Sequence, residues 1–247
     1  MGSEPRDGGP AHYPQAKRST VSDTPWVPPS TIPDPLALPA LSLLALAALG
    51  WLVRYADWRG LVSSGRLNLW LGTTVVLMLL WRMRASGLPG MEMHLAGATV
   101  AYLMFGPRFG AISLALAAAG AGLAAGRPAW ALGPEWMLHG LIPLMLSAIV
   151  VPLAERRLPA HPFVFLWVYG FVVSGLAVIA GGLAQTLLLV SLDTRPWAVL
   201  SEEFLPFYLL LGWSEAFTAG AMLTLMVVYR PGWVQRFDDA VYLRSKR

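Results

Sequence analysis

The feature that most constrains this chain is its set of long runs without charge. Residues 163–191 contain no Asp, Glu, Lys or Arg, and similar runs recur along the sequence. A helix of about 20 apolar residues crosses the hydrocarbon core of a bilayer. Only 13% of the chain is charged and 56% is hydrophobic, against about 25% charged in an ordinary water-soluble domain. The chain therefore reads as an all-α integral membrane protein, a polytopic bundle of about seven transmembrane helices. The candidate spans are roughly 35–54, 67–83, 92–106, 109–126, 135–153, 163–191 and 204–229. Gly106 and Pro107, in the stretch FGPRFG, stop the third span and predict a tight helical hairpin with the fourth.

Three regions follow. Residues 1–34 are polar and rich in Pro and Gly, cannot bury a core, and read as a disordered amino-terminal tail that includes His12. The first apolar run starts too far from Met1 for a cleavable signal and reads as a retained span. Residues 35–229 form the helical bundle, and 230–247 form a basic tail. Of the 18 Lys and Arg, seven fall with the amino tail and the even loops. The other 11 fall with the odd loops and the carboxyl tail. The positive-inside rule then puts the amino terminus outside and the carboxyl terminus in the cytoplasm of a multi-pass inner-membrane protein.

Several classes are excluded. The net charge of +4 comes from loop and tail residues, without the aromatic and basic interleaving of a nucleic-acid binder. Their expected contact is membrane lipid. No cysteine is present, so disulfides, thiolate metal sites and cysteine nucleophiles are out. There is no G-x-x-x-x-G-K-[ST] and no H-E-x-x-H, which removes P-loop ATP hydrolysis and the common helical zinc protease. Ser214 has no spacing to His94 or His139 that supports a hydrolase dyad. No internal repeat suggests an inverted-repeat transporter.

Small residues supply the helix contacts: Gly122 and Gly126 in the fourth span, and Gly212, Ala216 and Gly220 in the last. Trp81, Trp130, Trp136, Trp197 and Trp233 fall near span ends and read as interfacial belts.

Five ionisable residues enter the apolar spans: Glu92, His94, Glu135, His139 and Glu215. A charge at mid-bilayer costs about 2.5–3.5 kcal/mol even on the lenient insertion scale, so each needs a partner or a task. At helical spacing Met91, His94, Ala98 and Ala101 share a face. An imidazole beside a thioether suits a soft or borderline divalent ion; the rival reading is a histidine that bonds a neighbouring helix. Glu135 lies four residues before His139, so the two can pair on one face, either at a site or merely at the interface. Glu215 is either a ligand or partner of a histidine, or a neutral acid bridging helices.

The segment HLAGATVAYLMFGPRFGAISLALA resembles the permease of cobalt and nickel energy-coupling-factor transporters, the CbiM-like family. His94, Gly97, Phe105, Gly106 and Pro107 carry the match. LHGLIPLMLSAIVVP is similar to the following family helix through His139 and Gly140. LLGWSEAFTAGAMLTLMVVYRP is similar to the last one through Glu215 and Gly220. The three motifs stand in order across roughly 88–230. The resemblance implies a substrate-capturing permease for a divalent transition-metal ion of the cobalt or nickel class. It also implies a separate transmembrane coupling protein and cytoplasmic ATPase subunits, and no organic cofactor. Family members begin with Met-His, which helps to chelate the ion, whereas this chain begins Met1-Gly2. It is also similar to a divergent branch ending VVYRPGWVQRFDDAVYL. His94, His139, Glu92 and Glu215 are thus the candidate metal residues, with Met91 as a further donor. The alternatives are an assembly or sensory subunit that keeps the fold without transporting, and a membrane metalloenzyme using His94, His139 and Glu215.

Overall fold

The computed structural model describes residues 37–88, 91–192, 194 and 196–242. The expected tail of 1–34 and the last five residues of the chain lie outside these. Helix α1 is Ala37–Tyr55, α2 is Trp58–Ser63 and α3 is Leu67–Arg82. Strands β1 (Ala85–Leu88) and β2 (Met91–Met93) pair antiparallel, with Ala85 opposite Met93 and Ser86 opposite Glu92. Then come α4 (Ala98–Ala124), α5 (Ala129–Glu155), α6 (Pro162–Ser191) and α7 (Trp197–Tyr229). A turn of 3-10 helix, Pro231–Trp233, leads to the short α8, Asp239–Tyr242. Helices α1, α4, α5, α6 and α7 are long and apolar enough to cross a membrane, while α3 is apolar but shorter, at 16 residues.

Lipid, not water, is the solvent that this exterior fits. Leu43, Leu79, Ile149, Leu187, Leu210 and Val228 all face outward. Apolar burial gives little drive between helices in such a solvent, so close backbone packing takes its place. The α6–α7 seam shows this. A Cβ added at Gly175 would stand 2.9 Å from the carbonyl oxygen of Gly212, and one at Gly212 would stand 2.9 Å from that of Gly175. Ala216 completes the contact, as its spacing predicted, while Gly220 faces Phe171. Gly122 accepts the Leu132 side chain. Gly126 departs from expectation: it has φ 70° and no neighbour within 4 Å of a Cβ. Its amide donates to Leu123 O at 3.0 Å, so it closes α4 in a left-handed turn and packs no helix.

The hairpin expected at Gly106 is present, with an unequal pair of limbs. Gly106 has φ 74° and ψ −178°, breaking α4 inside its span. A Cβ at Gly110 would meet the carbonyl of Ala101 at 3.1 Å. Nine residues of unbroken helix would put these about 13 Å apart, so the chain doubles back. The limb before the break, 98–105, is about 12 Å long at 1.5 Å per residue. That corrects the expected span 92–106: it is a half-helix, short of the roughly 30 Å a crossing needs. Two local features prevent extension. Met91–Met93 is used in the strand pair, and Gly97 has φ 64°, outside the right-handed helical region.

The limb after the break is the centre of the bundle. Ala111, Leu114, Ala117, Ala118 and Ala121 are fully buried. Trp70, Thr74, Leu77 and Trp81 form the buried face of α3 against it, with Thr74 donating to Ser113 at 3.1 Å. Helix α1 sits at the edge. Its Ser42 bonds the carbonyl of Trp130 and lies against Gly133 of α5.

Trp81 and Trp136 do not join a belt. Both are buried, and their indole N–H groups donate at 3.0 Å to Ala96 O and Ala111 O. An indole has one donor, and a carbonyl that receives it makes deep burial affordable. Trp130, Trp197 and Trp233 are exposed as expected.

Candidate metal centre

Residues 94–97 connect β2 to the half-helix and are held from two sides. Trp81 donates to the Ala96 carbonyl. The carboxylate of Glu215 on α7 accepts the amides of Ala96 at 2.9 Å and Gly97 at 2.7 Å. These are N–H groups at the start of a helix, which have no partner within it, and an anion there meets the positive end of the helix dipole. Gly97 is required on two counts. Its φ is positive, and a Cβ would come within 2.5 Å of Leu77.

This segment presents His94 inside the bundle. Its side chain is 1% exposed, with the ring against Trp81 at a centroid distance of 4.3 Å. Nδ1 is 3.1 Å from the Leu95 carbonyl. A carbonyl only accepts, so Nδ1 carries the proton and Nε2 keeps a lone pair. Nε2 is buried and has no hydrogen-bond partner among the described residues.

His139 meets it from α5. It lies in a π-helical turn, Met137–Leu141, of the kind that recurs at functional sites. The two imidazole centroids are 5.2 Å apart at 72°. His139 Nε2 is 2.9 Å from Gln185 Oε1 and 2.9 Å from the Tyr208 hydroxyl. That hydroxyl donates to the same Gln185 oxygen, so Nε2 is the donor of the ring and Nδ1 keeps the lone pair. Nδ1 is also buried without a partner. Two lone pairs on neighbouring imidazoles are thus unclaimed by any group among the described residues, where buried polar atoms are normally satisfied. Neutral imidazole nitrogen is a ligand for borderline divalent ions.

Four charges close the mouth. Glu135, 5% exposed in its side chain, takes Arg84 Nη2 at 2.6 Å on Oε1 and Arg127 Nη1 at 2.9 Å on Oε2. Glu92, more exposed, bonds Arg127 and lies 3.4 Å from Arg84. Glu135 Oε1 is 3.8 Å from His94 Nε2, beyond hydrogen-bond range. Among the described residues no three His, Asp or Glu side chains converge as a ready-made metal cage.

Of the candidate residues read from the sequence, His94 and His139 are brought into ring contact, a proximity that the sequence by itself does not reveal. The shared helical face of Met91, His94, Ala98 and Ala101 does not exist, because residues 91–93 are strand. The Met91 side chain and His12 lie outside the described residues. Glu92 is at the mouth, paired with arginines. Glu215 is 2% exposed and spends both oxygens on backbone amides. Thr218 and Met222 share its face, and all three line a cavity of about 590 Å³ between α3, the half-helix and α7. Ser214 bonds Leu210 of its own helix. Sequence reasoning missed Arg84 and Arg127, counted only as orienting loop charges, and passed over Gln185 and Tyr208. The available signal for the arginines was two acids, Glu92 and Glu135, at the same boundary with no named cation.

Residues 27–233 match the family model CbiM, described as the cobalt uptake substrate-specific transmembrane region. No curated protein and no solved structure matches the chain.

Proposed function

Since the chain belongs to the CbiM family of cobalt uptake transmembrane proteins, we propose that it captures a divalent ion of the cobalt or nickel class at the His94–His139 pair. Membership makes it a multi-pass membrane component of transport. The observation that carries the ion site is the pair of buried, partnerless nitrogens, Nε2 of His94 and Nδ1 of His139. Glu92, at the mouth, offers the first negative charge to an arriving cation. Glu215 acts through the backbone by fixing residues 94–97. Energy comes from separate subunits, a transmembrane coupling protein and cytoplasmic ATPases, since no P-loop is present in this sequence. In this reading the β1–β2 end faces outward in the inner membrane, and the end with Arg66 and Arg236 faces the cytoplasm.

Titration calorimetry of the purified protein with Co2+ and with Ni2+ tests the site. One ion binds per chain, and His94→Ala or His139→Ala each weakens it by more than about 100-fold, beyond the 10–100-fold typical of outer-shell losses. Equal affinity in wild type and both variants would remove the site. Cobalt uptake by expressing cells, and recovery of an ATPase with the tagged protein, separate a transporter from an assembly or sensory subunit.

A further inference from the structure

Glu135 stands between two claims. Its carboxylate is held by both guanidiniums of the mouth, at 2.6 and 2.9 Å, and Oε1 is also 3.8 Å from the lone-pair nitrogen of His94. Two donors on one ion, each about 2.0–2.1 Å from it, are about 2.9 Å apart at a right angle and about 4.1 Å apart in line. The 3.8 Å separation falls inside that window. A cation between His94 Nε2 and Glu135 Oε1 therefore needs little movement of either atom. The His94 ring is fixed by Trp81 and by Nδ1, and its side chain is 1% exposed.

We propose that Glu135 is a third donor to the ion, and that Arg84 and Arg127 are exchangeable counter-cations that hold its carboxylate while the site is empty. This rests on the ion-capture reading above. On loading, Oε1 leaves Arg84 Nη2 for the ion, and no bond other than hydrogen bonds and coordination changes. Glu92 makes the exchange feasible, because it touches both arginines and remains a partner for Arg84 when Oε1 of Glu135 goes to the ion. The arginines also set a threshold. Any cation must displace them and bear their repulsion, so the site favours ions that form strong coordinate bonds with imidazole over weakly bound alkali or alkaline-earth ions.

The signs of four substitutions test this in detergent-purified full-length protein titrated with Co2+. Glu135→Gln weakens binding by more than about 100-fold, beyond the range of outer-shell losses, and alters the visible ligand-field spectrum of bound Co2+. Arg84→Gln and Arg127→Gln each strengthen binding by about three- to tenfold, through removal of a competing charge. Glu92→Gln weakens it, because both guanidiniums then fall on Glu135 alone. A gain in affinity cannot come from misfolding, so the arginine variants stand even if Glu135→Gln fails to fold. If Arg84→Gln and Arg127→Gln weaken binding, the network is only a structural brace and the exchange is wrong. If His94→Ala abolishes binding while Glu135→Gln leaves affinity and spectrum unchanged, the donor assignment fails and the ion site survives. If wild type binds no Co2+ or Ni2+, the functional reading fails and takes this inference with it.

Discussion

At the scale of single residues, Glu215 shows how a buried charge works without touching the chemistry. Its oxygens end on two backbone amides that the half-helix cannot satisfy itself. Glu215→Ala leaves both N–H groups buried and unpaired, a loss of about 1–3 kcal/mol for each. Its melting temperature in detergent falls below that of Glu215→Gln, which keeps one carbonyl acceptor. Co2+ affinity falls in the same order, because the register of His94 depends on these bonds. Equal melting and affinity for the two variants would show that the amides do not need the side chain. Gln185 and Tyr208 play the corresponding part for His139, fixing which nitrogen donates.

At the scale of elements, the decisive one is the half-helix 98–105 with its two glycine boundaries. Gly97→Ala places a Cβ in a left-handed backbone and against Leu77. The backbone term alone is about 1–2 kcal/mol, and the clash adds to it. Thermal unfolding of Gly97→Ala is expected well below wild type. Gly126→Ala carries only the backbone term, since a Cβ there has free space, and serves as the comparison. The α6–α7 seam gives a second case. Gly212→Leu must displace Ile179 and the Gly175 backbone, so the seam opens. The loss of folded, monodisperse protein measures how far the bundle depends on that contact.

At the scale of the whole molecule, the bundle has two ends with different tasks. One carries the strands, the charge network and, one layer deeper, the imidazole pair. At the other the chain after α7 folds back. The Arg236 amide donates to Leu103 O at 3.1 Å and its guanidinium to Glu155 at 2.8 Å. Arg66 reaches Met104 O at 2.6 Å and Trp233 O at 2.9 Å. The half-helix is therefore tied at its start to α7 and at its finish to α3 and the tail. Absence of cysteine makes orientation directly measurable. In intact cells an impermeant maleimide labels Ser191→Cys, at the strand end, and spares Ser64→Cys, at the other. The reverse pattern would invert the proposed orientation. Proton competition gives a further global readout. Only neutral imidazole ligates, so Co2+ affinity falls once the pH is low enough to protonate the two buried rings. Affinity that stays constant down to the pH at which the protein unfolds would argue against two histidine ligands.

The sequence by itself determined the solvent, the helical class and the family resemblance, because charge-free length and the His-Gly and Phe-Gly-Pro motifs are local properties. It also marked the break at Gly106, where a glycine free to take a positive φ precedes a proline, although the same dipeptide at Gly133 and Pro134 lies within α5 without ending it. Only the tertiary structure decided that 91–93 is strand, that Trp81 and Trp136 face inward, and that Glu215 serves the backbone. It alone paired Arg84 and Arg127 with Glu92 and Glu135. Those outcomes depend on which carbonyl, amide or counter-charge a distant segment delivers, and hydropathy at a position says nothing about what lies across from it.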